Sequence, residues 1–215
     1  MKKRVLGKLF INGIMLGAIS ACAPNPTTNT SPDTADTQSA DIPQRIVALS
    51  SISADLVQTL SNGKLVGISG SPLLASDPRF EGLEVVSQGR TEPDLEKIVV
   101  LEPDLVIGAD GFHDKALQRL SDLGVDTLPV DIDSWESLKA VTQQLADRLG
   151  SDSTPLMQRY DACLAQAPDQ VTTAVVLVSR EPMLSPNQNS WASDFITQFD
   201  LQNLTADLQG QSEFE

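Results

Sequence analysis

Beyond residue 44, short runs of consecutive apolar residues alternate with longer stretches in which apolar residues recur every three or four positions. Residues 45–49, 64–68, 84–86, 104–107 and 127–130 form the short runs. Unbroken apolarity over so few residues predicts strands covered on both faces, as in a parallel sheet. The longer stretches predict helices. In the first, Ser53 stands where an N-cap belongs, Leu56, Val57 and Leu60 share a face, and Gly63 closes the segment. Thr91-Glu92-Pro93 opens the second, with Pro93 suited to a first turn and Ile98 and Leu101 on the inner side. Asp114 opens a third that buries Leu117 and Leu120 and ends near Gly124. Asp133, with Glu136 three residues on, has the form of a capping box for a fourth helix running to Leu149. The series implies βαβ units with right-handed crossovers, hence an α/β lobe over residues 43–150.

A connecting segment, 151–169, follows. Its helix, 154–167, carries Leu156, Met157, Tyr160, Cys163 and Leu164 on one side. The pattern then restarts, with residues 173–178 as a buried strand, 190–199 as an amphipathic helix and 204–208 as a short strand. The fold class expected is therefore two Rossmann-like α/β lobes joined by a helix. The second, 170–215, is much the shorter and reads as truncated.

Ahead of the first lobe, Lys2, Lys3, Arg4 and Lys8 precede an apolar run at 9–21. That run falls short of the ~20 residues a membrane-spanning helix needs and reads as the core of a secretory signal. It ends Ile19-Ser20-Ala21-Cys22, the form of a bacterial lipoprotein signal cleaved before Cys22. Residues 1–21 are thus expected to be a signal peptide and 22–42 a tether. The tether is rich in Pro, Thr, Asn, Ser and Asp, cannot form a core, and would average ~25 Å end to end. Lipid at Cys22 would hold the exported chain to a membrane.

Removing the four basic residues of the signal from 15 leaves 11 against 29 acidic residues, a net charge near −18. Such acidity excludes nucleic-acid binding and favours solubility. With Cys22 committed to lipid, Cys163 has no partner for an internal disulfide. His113 is the one histidine, so zinc sites and Ser/His/Asp machinery lack parts, and neither a metal site nor a cofactor is expected.

Pro43-Gln-Arg-Ile-Val-Ala-Leu-Ser50, Gln88-Gly-Arg-Thr-Glu-Pro-Asp-Leu-Glu96, Leu101-Glu-Pro-Asp-Leu-Val-Ile107 and Met183-Leu-Ser-Pro-Asn-Gln-Asn-Ser190 occur in this order. Together they resemble the class III periplasmic binding proteins of ABC importers for ferric siderophores and cobalamin, with the second string closest to the ferric-hydroxamate branch. The resemblance implies two lobes joined by a long helix, a ligand in the cleft between them, and no catalysis. It implies that Arg90 contacts the chelate, a role its planar fork of donors suits, and that Glu96 docks on arginines of the permease. The resemblance places a matching glutamate of the second lobe beyond the segment that begins near Gly210, and none is expected within this sequence.

Other candidates follow from position. Phe112 and His113 lie after the strand ending at Ile107, on the sheet edge where ligands of open α/β folds bind. Phe112 is an aromatic wall without the hydroxyl that some hydroxamate binders have there. His113 is either a ligand contact or a solvent-facing residue ahead of its helix. Ser51, with Ser50 and Ser53, offers hydroxyl or helix-terminal N–H groups. Trp191 either faces the cleft or packs in the core. The partners expected are a ferric siderophore or related chelate, ABC permease subunits and, through the anchor, a membrane. Cobalamin or haem is the alternative cargo. A small-anion enzyme using Arg90, His113 and Asp110 is the distant alternative.

Overall fold

The structure is a computed structural model that describes residues 42–88, 91–166 and 172–208. Strands β1 (Ile46–Ala48), β2 (Leu65–Ser69), β3 (Glu84–Ser87), β4 (Leu105–Ala109) and β5 (Thr127–Val130) form one sheet in the order β3-β2-β1-β4-β5. Every adjacent pair is parallel, so all five carboxyl ends lie on one edge. Successive strand residues feed opposite faces. Ile46, Ala48, Leu105 and Ile107 pack on one side against helices α1 (Ser51–Leu60) and α5 (Trp135–Leu149). Val47, Leu49 and Val106 pack on the other against α3 (Leu95–Val100) and α4 (Asp114–Asp122). Cover on both faces is what the unbroken apolar runs require, and the α/β class read from the sequence is the one observed.

Helix starts differ from expectation in three places, each time because a better-placed acceptor takes the cap. Ser50, not Ser53, caps α1. Its Oγ accepts from the Ser53 N–H at 3.2 Å, and Ser53 is fully buried one turn inside. Asp94 caps α3, accepting from Lys97 N–H at 3.1 Å, while its own N–H donates to Val86 O. Pro93 therefore precedes the cap rather than standing in the first turn. The capping box of α5 is Ser134 with Ser137, which exchange backbone-to-Oγ bonds at 2.9 and 3.1 Å, in place of Asp133 with Glu136. A short helix α2 (Pro72–Ala75) and a 3₁₀ turn at Pro78–Phe80, between β2 and β3, have no counterpart in the sequence reading.

Helix α6 (Thr154–Leu164) stops short of residue 167 and leaves Cys163 exposed, with Leu156 its buried member. Tyr160 anchors it, meeting Thr142 of α5 at 3.1 Å and the Trp135 ring at 5.4 Å. After it, β6 (Thr172–Ala174) pairs in parallel with β9 (Leu201–Asn203), and β7 (Ser179–Arg180) with β8 (Met183–Leu184) makes a hairpin. Between β8 and β9 lies helix α7 (Trp191–Thr197), capped by Ser190. The expected strand 173–178 is thus cut to its beginning. Val178 N–H turns to Leu184 O and starts the hairpin, and Val175, Leu177 and Val178 stand about half exposed. The strand expected at 204–208 is a turn, because Asn203 Oδ1 accepts from Thr205 N–H at 3.0 Å and ends β9 there.

Candidate functional site

The strand order reverses direction between β1 and β4, since β2 and β3 lie to one side of β1 and β4 and β5 to the other. At such a point the loops leaving the two strands part, and a crevice opens at the carboxyl edge. The turn after β1 ends at the cap Ser50, and Ser51 opens α1. The loop after β4 is Asp110-Gly111-Phe112-His113. Sequence-expected residues Ser51, Phe112 and His113 therefore come together at the reversal point.

They do different things there. Phe112 is 59% exposed at the tip of its loop. His113 is only 4% exposed, so it is neither solvent-facing nor open to a ligand. Its Nδ1 accepts the Ala109 N–H at 2.9 Å, and its own N–H donates to Ala109 O at 2.9 Å. The Phe112 ring meets the imidazole edge-on, with centroids 4.7 Å apart. Gly108 makes room for this packing, because a Cβ there would lie 2.9 Å from His113 Cβ. Burial pushes the imidazole below its ordinary 6.5, and it outweighs the opposing pull of the Ala109 backbone and, more weakly, of the Asp114 carboxylate. A ring so placed is closed to acid–base work on a substrate, which removes the base from the small-anion enzyme reading.

Ser51 is the first residue of α1 and lines a cavity of about 320 Å³ with Ile52, Asp55, Leu73, Asp77 and Arg79. Arg79 bridges Asp55 and Asp77, each at 2.6 Å, and holds the Asp77 carboxyl below the usual range. Its guanidinium is thereby committed. Another cavity, of about 300 Å³, lies away from this edge between Ile42, Leu128 and the last turns of α5.

Trp191 opens α7 and is 58% exposed, hence not a core residue. Three residues on, Asp194 accepts the N–H of Trp135 at 2.7 Å and Phe195 packs on the Trp135 ring, which ties α7 to the segment leaving β5. No sequence signal pointed to Asp194. Glu96 is exposed in the first turn of α3 and has no ion pair among the described residues. Arg90 and Cys22 lie outside the described residues.

The rim of the edge is acidic. Segments leaving the five strands carry Glu92, Asp94, Asp110, Asp131 and Asp133, together with Asp77 and Arg79, and that arginine is already paired with Asp55 and Asp77. Nowhere among the described residues do three or more His, Cys, Asp or Glu side chains gather in a way that could hold a metal ion.

Three solved structures share the architecture. The periplasmic vitamin B12 binding protein BtuF of Vibrio cholerae is 20% identical with a TM-score of 0.58, over 79% of this chain and 69% of its own. The periplasmic heme binding protein HutB of Vibrio cholerae is 21% identical with a TM-score of 0.58, over 76% and 66%. A possible iron-binding periplasmic solute-binding protein of Staphylococcus epidermidis ATCC 12228 is 19% identical with a TM-score of 0.60, over 79% and 70%. At these identities the likeness concerns the fold, and the chain spans about two thirds of each structure. No curated protein matches it in sequence. The periplasmic binding protein family model matches residues 46–215, from the first strand onward, and the ferric-hydroxamate branch is not singled out by these matches. With its parallel sheet, its reversal point and that match over most of its length, the chain belongs to the periplasmic binding protein family.

Proposed function

We propose that this chain is the ligand-capturing component of an ABC importer, exported and held to a bacterial membrane through Cys22, which takes up a ferric chelate and passes it on chemically unchanged. Its ligand lobe is 43–150, joined through 151–169 to the shorter 170–215. The observation that carries the ligand class is the rim. Phe112 stands open at the reversal point of an edge whose loops carry Glu92, Asp94, Asp110, Asp131 and Asp133, while Arg79, near Ser51, is taken up by Asp55 and Asp77. Such a rim repels a ligand with free carboxylates. A ferric trihydroxamate avoids that penalty, because three singly negative hydroxamates cancel the charge of Fe(III). Arg90, in the string that resembles hydroxamate binders, would offer a fork of donors to the chelate oxygens, and Phe112 and Trp191 apolar faces to its body. Exposed, and without an ion pair among the described residues, Glu96 suits docking on basic residues of a permease.

Cobalamin is the second reading. It carries little negative charge and so meets the same rim without repulsion, and one of the structural relatives is a vitamin B12 binding protein. Haem, with two carboxylates, fits the rim less well. Titrating the full chain with a ferric trihydroxamate, ferric citrate, haemin and cyanocobalamin, following tryptophan fluorescence, tests the assignment. The trihydroxamate should quench the signal and be recovered intact. Tighter binding of ferric citrate or haemin would overturn the charge argument, and turnover of any of the four would overturn the binding role.

A further inference from the structure

We infer that His113 is a positioning residue whose neutral imidazole latches the loop carrying Phe112, so that ligand capture weakens as the latch is protonated. This rests on the reading above for the ligand and on geometry for the latch. Val106 of β4 and Asp110 just past its end donate their N–H groups to the β5 side, to Asp126 O and Val130 O. Alternation along the strand then points the Ala109 N–H toward β1. There the ladder ends: its last rung is Leu49 N–H to Ile107 O at 2.8 Å, and the chain has turned into α1 at Ser51. A partly buried N–H without an acceptor is costly, and His113 Nδ1 supplies the acceptor that β1 no longer provides.

Because His113 N–H also donates to Ala109 O, two bonds close the loop 109–113 into a ring. Gly111, with φ +73°, turns the ring, and Asp114 Oδ1 accepts its N–H at 2.9 Å. Phe112 is the residue left projecting, its ring resting edge-on against the imidazole. Only an unprotonated Nδ1 has a lone pair for Ala109. Protonation would set one donor against another in a buried site, and the ring and the phenyl it seats would have to move. The charged group that faces the imidazole is Asp114, at the start of α4, with Asp110 exposed in the loop itself. The contacts from β4, Gly108 and Ala109, carry no charge.

The test labels the full chain with 4-fluorophenylalanine, assigns the Phe112 ¹⁹F resonance with Phe112→Leu, and follows it from about pH 7.5 to about pH 5, the range in which histidine titrates. The resonance should shift on a midpoint below that of free histidine. His113→Asn keeps an acceptor at the same reach without a titrating group, and its resonance should stay at the neutral-pH position throughout. His113→Leu has no acceptor, and its resonance should stay displaced. Affinity for the ferric trihydroxamate should fall about tenfold across the same range in the parent, the scale of one lost buried hydrogen bond. In both variants it should be flat, high for Asn and low for Leu. A Phe112 resonance that ignores pH in the parent, or moves equally in His113→Asn, overturns the latch whether or not any chelate binds. A resonance that moves as expected in a chain that binds none of the four ligands leaves the latch standing and removes the ligand reading instead.

Discussion

The carboxylate of Asp194 accepts a hydrogen bond from the backbone N–H of Trp135 at 2.7 Å, across 59 residues of sequence. Trp135 is the first residue of α5, so the anion sits at the positive end of that helix. Phe195 lies against the Trp135 ring at 5.4 Å, and the pair of contacts fixes α7 beside the carboxyl edge of the main sheet. Asp194→Ala should lower the unfolding free energy by about 1–2 kcal/mol, the range for a lost helix cap. Asp194→Asn keeps an acceptor and should lose less. Urea denaturation followed by tryptophan fluorescence measures both. An alanine variant as stable as the parent would show that the contact does not hold α7 in place.

His113 also carries a pH dependence of stability. Burial holds its folded-state titration below 6.5, near which the unfolded chain titrates. The unfolded state therefore binds more protons as the medium is acidified. Stability from this residue is complete above 6.5 and is lost as the pH falls through the lower folded value. Denaturation midpoints at neutral and mildly acid pH should differ more for the parent than for His113→Asn. Equal differences would assign the acid loss to other groups.

Gly70 follows β2, where the register with β3 shifts between Ile68 and Ser69. A Cβ on Gly70 would lie 2.5 Å from Ser87 O, the same oxygen that accepts the Gly70 N–H at 2.7 Å. Gly70→Ala should cost about 1–3 kcal/mol, because backbone rather than a side-chain tip must move. Gly82→Ala is the control. It meets nothing within 4 Å and bears only the strain of φ +81°, about 1 kcal/mol or less. Equal losses in a thermal melt would mean that the end of β3 yields easily.

The sheet was legible in the sequence because burial on two faces leaves unbroken apolar runs, and Thr127–Val130 appears as read. Helix starts were less so. Ser50 and Ser53, or Asp133 and Ser134, are equivalent as caps until the incoming strand fixes which backbone is extended. At the site, position identified Phe112 as an exposed aromatic. The seat of His113 was hidden, since it depends on Gly108 and on where β1 ends, neither of which marks the sequence near the histidine. Asp194 illustrates the same limit, as its partner lies in another unit of structure. Residues 173–178 looked like a buried strand from valine content alone, but β9 is the one strand paired with β6 among the described residues, and the chain turns away into a hairpin.

The proposed attachment to a membrane through Cys22 can be tested apart from folding. Cys22→Ser removes the thiol needed for a thioether to lipid, and should leave the protein unprocessed or in the soluble fraction after cell breakage. The variant should unfold at the same denaturant concentration as the parent. If it partitions with membranes as the parent does and runs at mature size, the lipoprotein reading is wrong.

Phe112 separates binding from stability most cleanly. With 59% of it in solvent, truncation removes little buried surface, so Phe112→Ala should melt within a degree or two of the parent by the usual behaviour of exposed side chains. An aromatic wall that stacks on a chelate would contribute about 0.5–1.5 kcal/mol, so affinity for the ferric trihydroxamate should fall about two- to twelvefold. Isothermal titration beside a thermal melt gives both quantities on one preparation. An unchanged affinity would move the ligand away from the β4 loop, and a lowered melting point with unchanged affinity would make Phe112 a cover for His113 and nothing more.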